Sequence, residues 1–442
     1  MPNTAQTADQ IIAPRWLVPV DGRAEALEGH AVAVRQDRIA AVGPADAIRA
    51  RYGAAGWLNL DRHILLPGLV NTHTHAAMTL LRGYADDLPL MEWLHKHIWP
   101  AEAKWVSREF VAAGTRLACA EMLLSGTTTF NEMYFFPDVA AQCAQALGIR
   151  ICVGLIVLDF PTAWAGNADE YITKGLEVRD AVRHCSMVSC AFAPHAPYTV
   201  SDGPLERIAT LSAELDARVH IHLQETAREV ARSKADYGMR PLARLDRLGL
   251  LTPRLIAVHM TQLLDDEIDL AASRGLSIVH CPESNLKLAS GCCRVHELRK
   301  REVNVALGTD GAASNNDLDM LGEMRTASLL AKGVSANPTA LRAFETLETA
   351  TICGARALGL AAQTGSIEAG KQADLAAVDL LSHAATQPVY HPVSQLVYSA
   401  ARHQVTDVWV AGKRKVRDGA LTELDLAEVL RDARQWRQKI AA

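Results

Sequence analysis

Residues 64–75 read ILLPGLVNTHTH, an apolar strand that ends in two histidines. Strand side chains alternate between faces, so His73 and His75 point the same way and can approach one ion from one side. Seven later apolar segments end in polar residues in the same way: GTTTFNEM (126–133), RICVGLIVL (150–158), VSCAFAPHAPY (188–198), RVHIHLQET (218–226), LIAVHMTQL (255–263), LSIVHCPESN (276–285) and VNVALGTDGAAS (303–314). Helical periodicity fills most gaps between them, as at 107–126 and 204–217. Eight such strand–helix units predict a (β/α)8 TIM barrel of the α/β class.

The positions of the polar residues favour the barrel over a doubly wound open sheet. An open sheet of that kind normally has a glycine-rich turn after its first strand, and the segment after PGLVNTHTH has none. Histidine, glutamate and aspartate residues instead fall at the carboxyl ends of several strand segments. Those ends surround the active site in barrels of this type.

Both ends of the chain have a different pattern from the middle. Short alternating segments at 11–20, 30–36 and 38–43 read as strands, and the same texture returns at 370–380 and 405–419. Neither end is long enough to form a sheet domain alone. We therefore predict a composite β-sandwich domain from residues 1–66 and 366–442, around the (β/α)8 barrel at 67–365.

The bulk composition limits the partners and the compartment. The 442 residues carry a formal net charge of −5, so nothing calls for a nucleic acid or an anionic membrane as partner. The first ten residues lack a signal-peptide pattern, and no apolar run is long enough to span a bilayer. The nine cysteines form no C-x-x-C pair. We expect a cytoplasmic protein with reduced thiols, and we expect it to form a homo-oligomer.

A metal site is predicted from two strand ends besides the first. The fifth segment contains His220 and His222, which share a face, and His222 lies nearer the strand end; the interpretation favoured for His220 is a packed histidine inside the barrel. Asp310 lies at the tip of the eighth segment. Three imidazoles and one carboxylate suit Zn²⁺, and Fe²⁺ uses the same ligands. Barrels of this type that hold two ions often bridge them with a carboxylated lysine on the fourth strand. The fourth segment here contains no lysine, so we expect one divalent ion per subunit.

Other polar residues near these strand ends could take part in a reaction. Glu225 follows His222 by three residues and could shuttle a proton, or it could be a solvated loop residue. His259 ends the sixth segment and could stabilise developing charge, and His195 lies between prolines at the end of the fourth. A packed histidine remains the alternative for both. Residues 86–102, which are rich in Trp, Leu and acids, could cover the pocket as a lid.

Taken together, these motifs resemble the amidohydrolase superfamily, and within it the 5'-methylthioadenosine/S-adenosylhomocysteine deaminase branch, which is related to triazine chlorohydrolases and guanine deaminases. The stretches that carry the resemblance are PGLVNTHTH, the L-x-E-W-L-x-x-x-I-W-P-x-E pattern over 90–102, APHAPYT, HIHLQET, VHMTQL, HCPESNLKL, GTDGAASNN and HPVSQLVYS, spread over nearly the whole chain.

The resemblance implies a role for each matching residue. His73, His75, His222 and Asp310 match the metal ligands, and Glu225, His259 and Asp310 match residues at the reacting centre. Glu102, His195 and Glu225 match the substrate contacts, with Glu102 gripping ribose hydroxyls. It also implies the reaction: hydrolytic deamination of an adenine nucleoside to the inosine analogue plus ammonia, by metal-activated hydroxide.

Two questions stay open: which function the site serves, and which 5' substituent the nucleoside carries. The alternatives are a hydrolase of another C–N or C–Cl bond, in guanine, a triazine or a related heterocycle, and a non-catalytic metal-binding barrel. Within the adenine nucleosides, the 5' substituent is methylthio, homocysteinyl or hydroxyl. Residues 158–171 contain no Arg or Lys for a homocysteinyl carboxylate, which favours methylthioadenosine or adenosine.

Overall fold

The computed structural model describes residues 6–54 and 56–441 and opens with short strands and one helix. Their bounds are β1 (Gln6–Ala8), β2 (Gln10–Leu17), β3 (Leu27–Glu28), β4 (His30–Arg35), β5 (Arg38–Pro44), α1 (Ala45–Arg51), β6 (Tyr52–Ala54) and β7 (Trp57–Pro67). The prediction that the chain lacks a signal peptide falls partly on residues 1–5, which lie outside the described residues.

Eight parallel strands then form a nearly closed barrel, one strand in each predicted segment. They are β8 (Leu69–Thr74), β9 (Thr127–Glu132), β10 (Arg150–Val157), β11 (Val188–Pro194), β12 (Arg218–Leu223), β13 (Leu255–His259), β14 (Ser277–His280) and β15 (Asn304–Leu307). Each pairs with the next along the chain. The last strand approaches the first, where Thr72 Oγ1 donates to the Leu307 carbonyl at 2.7 Å and the Asp310 amide donates to the His73 carbonyl at 3.0 Å. The predicted (β/α)8 barrel is confirmed.

The first predicted strand segment, 64–75, divides at Gly68. Strand β7 ends at Pro67 and belongs to a different sheet, and β8 begins at Leu69. A Cβ at Gly68 would lie 2.1 Å from the side chain of Thr128 on the neighbouring strand. Only glycine lets the chain pass from one sheet to the other this close to the barrel.

Helices connect the barrel strands and cover its outer face. They are α2 (Leu90–Trp93), α3 (Trp99–Trp105), α4 (Arg108–Leu124), α5 (Pro137–Leu147), α6 (Ala168–Val182), α7 (Asp202–Glu214), α8 (Ala227–Tyr237), α9 (Pro241–Arg247), α10 (Asp265–Arg274), α11 (Pro282–Lys287), α12 (Val295–Lys300), α13 (Met320–Ser335), α14 (Ala343–Thr349) and α15 (Ile352–Ala357). A 3₁₀ turn at Ala76–Leu81 follows β8, and one π-helical turn at Leu94–Ile98 joins α2 to α3.

Strands from both chain ends form one nine-stranded sheet beside the barrel. The carboxyl-terminal strands are β16 (Leu375–Asp379), β17 (Val405–Val410), β18 (Lys413–Arg417) and β19 (Ala420–Leu421). The strand order is β19-β18-β17-β16-β7-β2-β4-β5, with β3 paired to β2. Side chains of both ends share one core, among them Leu17, Leu65, Leu375 and Trp409. A small β domain built from both ends is therefore present, while the boundaries at 66 and 366 stay predictions.

The carboxyl-terminal segment also contains two helices that the strand pattern did not predict, α16 (Pro392–Tyr398) and α17 (Leu426–Ala441). Helix α17 lies on the barrel helix α4, where the rings of Trp436 and Phe110 meet edge to face with centroids 5.3 Å apart. Arg116 of α4 forms ion pairs with Glu428 and Asp432. Val429, Ala433, Trp436 and Ile440 recur at helical spacing on the less exposed side of α17, so helical periodicity could have predicted this helix.

A buried ion pair joins the barrel to the sheet. The Arg150 guanidinium at the start of β10 lies 3.1 Å from the Asp374 carboxylate just before β16, and both side chains are almost inaccessible. Arg150 also donates to the Ser186 carbonyl, and the Ala411 amide donates to Asp374. The pair is thus fully hydrogen-bonded, as a buried pair must be.

No helix in the described part of the chain is long and apolar enough to cross a membrane.

Candidate metal centre and substrate pocket

The four predicted metal ligands meet at the carboxyl ends of the barrel strands. His73 lies near the end of β8, His75 directly after it, His222 near the end of β12 and Asp310 just beyond β15. One ligand atom from each lies within 4.8 Å of all the others. A second group of this kind is absent from residues 6–54 and 56–441. The fold therefore gathers four distant residues at one point.

The distances between these atoms fit a divalent cation. His222 Nε2 lies 3.1 Å from His73 Nε2 and 3.3 Å from His75 Nε2. Asp310 Oδ1 lies 3.2 Å from the Nε2 of each of the latter two histidines. Ligand atoms about 2.0–2.1 Å from a tetrahedral zinc ion are separated by roughly 3.3 Å. The donor set of three imidazoles and one carboxylate is also one that zinc prefers.

Backbone carbonyls orient two of the three imidazoles. His75 Nδ1 donates to the Met133 carbonyl at 2.5 Å, and His222 Nδ1 donates to the His195 carbonyl at 2.7 Å. With the proton on Nδ1, the lone pair of Nε2 faces the other ligands. Burial and the neighbouring imidazoles lower the pKa of His222 well below its usual value, which keeps the ring neutral.

The Asp310 carboxylate is held by three groups besides the imidazoles. Oδ2 accepts from Ser284 Oγ at 2.6 Å and from Ser314 Oγ at 2.9 Å, and Oδ1 accepts from the Gly311 amide at 2.8 Å. Burial opposes ionisation, but His73 and His75 hold the pKa of Asp310 well below its usual range. Its φ of +63° is uncommon outside glycine. The surrounding bonds over-determine this conformation, as is common at functional sites.

Glu225 and His259 face each other beside the predicted ligands. Glu225 Oε2 lies 3.9 Å from His259 Nε2, and Glu225 Oε1 accepts from Ser290 Oγ at 3.1 Å. His259 Nδ1 donates to Asn285 Oδ1 at 2.8 Å, which leaves Nε2 directed toward Glu225. Burial raises the pKa of the Glu225 carboxyl above its usual value. A shift in this direction favours the protonated form, which suits a group that delivers a proton.

His195 lines the same pocket in a neutral state. Its Nδ1 lies 3.0 Å from Thr199 Oγ1. Burial, together with the nearby histidines His75 and His73, lowers the pKa of His195 to about 3. The ring therefore serves as a neutral hydrogen-bonding group.

Glu102 lies at the far side of the pocket, on α3 of the predicted lid. Tyr134 Oη donates to Glu102 Oε1 at 2.7 Å. Burial raises the pKa of Glu102 to about 7, and the bond from Tyr134 opposes that rise. The carboxylate is thus poised to accept further hydrogen bonds through Oε2.

The rest of the pocket wall is largely apolar. Lid residues, including Trp93, Leu94, Ile98 and Trp99, line one side, and Phe160 lines another. Among the residues that the structure describes, no Arg or Lys lines this pocket. A flat apolar wall with a few convergent polar groups is typical of small-molecule sites.

The sequence analysis did not identify two residues that support the site, Glu132 and Tyr134. Glu132, at the end of β9, accepts from Thr74 Oγ1 at 2.6 Å and from the Ala76 amide at 2.8 Å, so it fixes the backbone on both sides of His75. Glu132 lies at a strand end, so the rule that found the other site residues could have found it. Tyr134 follows in the next loop, where no local pattern indicates its bond to Glu102.

Two protein-family models match parts of this chain. The model of the amidohydrolase family matches residues 64–415, and a model of an imidazolonepropionase-like composite domain of bacteria matches residues 31–55. A 5-methylthioadenosine/S-adenosylhomocysteine deaminase from Teredinibacter turnerae is 48% identical over 442 residues, which is 100% of each chain.

Solved structures agree with the fold. An adenosine deaminase from Xanthomonas campestris with bound zinc is 56% identical, with a TM-score of 0.98 and 99% of each chain covered. An atrazine chlorohydrolase from Arthrobacter aurescens, complexed with zinc, is 24% identical, with a TM-score of 0.90 over 97% of this chain and 100% of that one. At that identity the second likeness concerns the fold.

Proposed function

Because this chain belongs to the amidohydrolase family and is a metal-dependent deaminase, we propose that it hydrolyses the exocyclic amine of an adenine nucleoside, releasing the inosine analogue and ammonia. The metal is one divalent ion, zinc, and we assign His73, His75, His222 and Asp310 as its ligands. The observation that carries the proposal is that these four groups converge at the pocket that Glu225 and Glu102 line.

A divalent cation held by these four side chains would lower the pKa of a bound water toward about 7. Glu225, whose pKa burial raises above its usual value, donates a proton to the ring nitrogen beside the carbon that carries the amine. The water oxygen would add to the carbon that carries the amine while Asp310 takes up one water proton. Asp310 then passes that proton to the amine nitrogen, and the C–N bond breaks to release ammonia. The remaining hydroxyl proton passes to Glu225 as the C=O bond forms, which restores the Glu225 carboxyl group. His259 Nε2, on the same side as Glu225, stabilises the charge that develops.

The substrate is held at both ends in this proposal. His195 bonds the purine as a neutral group, close to the predicted ligands. Glu102 accepts hydrogen bonds from the paired ribose hydroxyls through the oxygen that Tyr134 leaves free. The apolar lid covers the nucleoside and excludes water from the reacting centre.

The pocket lining favours a nucleoside with an uncharged 5' substituent. A homocysteinyl tail ends in a carboxylate, which calls for Arg or Lys. The described pocket lining has neither, and Phe160 and Trp99 instead pack with ring centroids 6.0 Å apart. We therefore propose methylthioadenosine or adenosine as the preferred substrate. The pocket is suited to a small molecule.

The predicted homo-oligomer stays a prediction, which light scattering can test.

Ammonia release from adenosine, methylthioadenosine, S-adenosylhomocysteine and guanine, together with chloride release from atrazine, tests the proposal, with the metal content measured on the same sample. We expect rapid turnover of the first two and slower turnover of S-adenosylhomocysteine. Hydrolysis of guanine or atrazine without activity on any adenosine would replace the reaction with another C–N or C–Cl hydrolysis. A zinc-loaded protein that is inert on the whole panel would indicate a non-catalytic barrel.

A further inference from the structure

His220 lies inside the barrel, in contact with a predicted metal ligand. It is fully buried on β12, two residues before His222 and on the same face of the strand. Its Nε2 lies 3.1 Å from His73 Nδ1, and the two rings meet at 63° with centroids 4.9 Å apart. This separation is within hydrogen-bond range for two nitrogens when one of them carries a proton.

The position of the ligand atoms decides which nitrogen carries that proton. His73 Nε2 faces His222 Nε2 at 3.1 Å and Asp310 Oδ1 at 3.2 Å, so it is the atom directed at the metal position. A neutral imidazole that presents a lone pair at Nε2 has its proton on Nδ1. His73 Nδ1 therefore donates to His220 Nε2, and His220 carries its own proton on Nδ1.

His73 differs from the other two histidine ligands in what holds it. His75 and His222 donate their Nδ1 protons to backbone carbonyls, which no substitution removes. His73 donates to a side chain. It is therefore the histidine ligand whose orientation a single substitution can release.

We propose that His220 is a positioning residue for the metal centre: by accepting the Nδ1 proton of His73, it fixes the tautomer and orientation of that ligand and raises its basicity. Outer partners of this kind tune metal affinity by about 10- to 100-fold. The inference rests on the assignment of His73 as a ligand in the proposed function.

A second observation supports a specific use for this imidazole. His220 Nδ1 is buried and has no hydrogen-bond partner among the described residues. An apolar side chain of similar size would avoid the cost of burying that group. The bond to His73 offsets this cost, and it is the only contact of His220 with hydrogen-bond geometry that the described residues provide.

The chain offers a matched control in His280 on β14. It is also fully buried, and neither of its ring nitrogens has a hydrogen-bond partner within residues 6–54 and 56–441. A change to leucine at 280 alters core packing as a change at 220 does, but it leaves His73 untouched.

The test measures the zinc dissociation constant of metal-stripped protein, by competition with a chromophoric chelator. We expect His220→Leu to weaken zinc binding about 10- to 100-fold, and His280→Leu to leave it unchanged. His220→Gln should restore most of the affinity, because its Oε1 reaches the place of Nε2 and accepts a hydrogen bond. His220→Asn should not, because its oxygen is one bond too short.

The result can overturn the inference in two ways. Equal zinc affinity in wild type and His220→Leu would do so, and so would equal losses in the leucine variants at 220 and 280. Should His220→Leu fail to fold by circular dichroism, the Gln and Asn variants make the same comparison, and equal affinities would refute it. Wild-type protein that does not bind zinc would instead overturn the metal centre of the proposed function.

Discussion

Replacing Tyr134 with phenylalanine tests how the pocket grips the sugar. The change removes one oxygen, whose proton is donated to Glu102 Oε1 at 2.7 Å. A hydrogen bond to a charged group contributes about 1.5–3 kcal/mol. If the carboxylate must be ionised and oriented to hold the ribose, KM rises by roughly 10- to 150-fold. The kcat should change little, because Tyr134 Oη bonds neither a predicted metal ligand nor Glu225.

The pH dependence gives a second signature of the same contact. Burial raises the pKa of Glu102 to about 7, and the bond from Tyr134 opposes that rise. The ionised form that accepts ribose hydroxyls is present above this pKa and is lost as the pH falls through it. KM for wild type should therefore rise as the pH falls below about 7. In Tyr134→Phe the pKa rises further, so the rise in KM begins at higher pH.

Steady-state ammonia release between pH 6 and 9 measures both effects, with adenosine and 2',3'-dideoxyadenosine as paired substrates. The substitution should raise KM for adenosine and leave KM for the dideoxy analogue nearly unchanged, because the analogue lacks the hydroxyls. Tyr398→Phe is the control, since that phenol bonds Ser328 Oγ at 2.9 Å away from the pocket. An equal rise in KM for both substrates would show that Glu102 does not read the ribose.

Three further predictions concern the reaction and the frame that supports it. Glu225→Gln should lower kcat by about 10²- to 10⁴-fold, because it removes the proposed proton donor. The zinc content, measured by mass spectrometry, should be unchanged, because no Glu225 atom belongs to the ligand cluster. A loss of zinc would indicate a ligand role instead. Removal of the ion with phenanthroline should abolish ammonia release and added zinc should restore it, whereas full activity of the stripped protein would contradict the metal assignment. Arg150→Met should lower the free energy of unfolding in urea by about 3–5 kcal/mol, because it leaves the buried Asp374 charge unpaired. Adding Asp374→Asn to this variant should recover much of the lost stability. Equal stability of the single and the double variant would refute a charge effect.

Much of the fold and of the ligand set follows from local patterns. Alternation along a strand is a property of two or three neighbouring residues, so H-x-H at the end of β8 already predicts one shared face for His73 and His75. The carboxyl ends of barrel strands converge whatever the exact loops between them. That is why residues as far apart as His222 and Asp310 could be predicted to meet.

The contacts that support the ligands could not be predicted in this way. The bond from His73 to His220 depends on the stagger of β8 against β12, two strands on different sides of the barrel. The bonds of Ser284 and Ser314 to Asp310 depend on where two loops fold back. Such distances are set by tertiary packing, and neither periodicity nor spacing along the chain encodes them.

The shared sheet has a consequence for how the protein is made on the ribosome. Strand β7 lies between β2 and β16, and its residues Ile64, Leu65 and Leu66 are fully buried in the complete sheet. β16 starts at Leu375, so at about 5–20 residues per second one edge of β7 waits roughly 15–60 seconds for its partner. An open apolar strand edge attracts other chains during that interval. Nascent chains should therefore need chaperone cover until β16 has emerged.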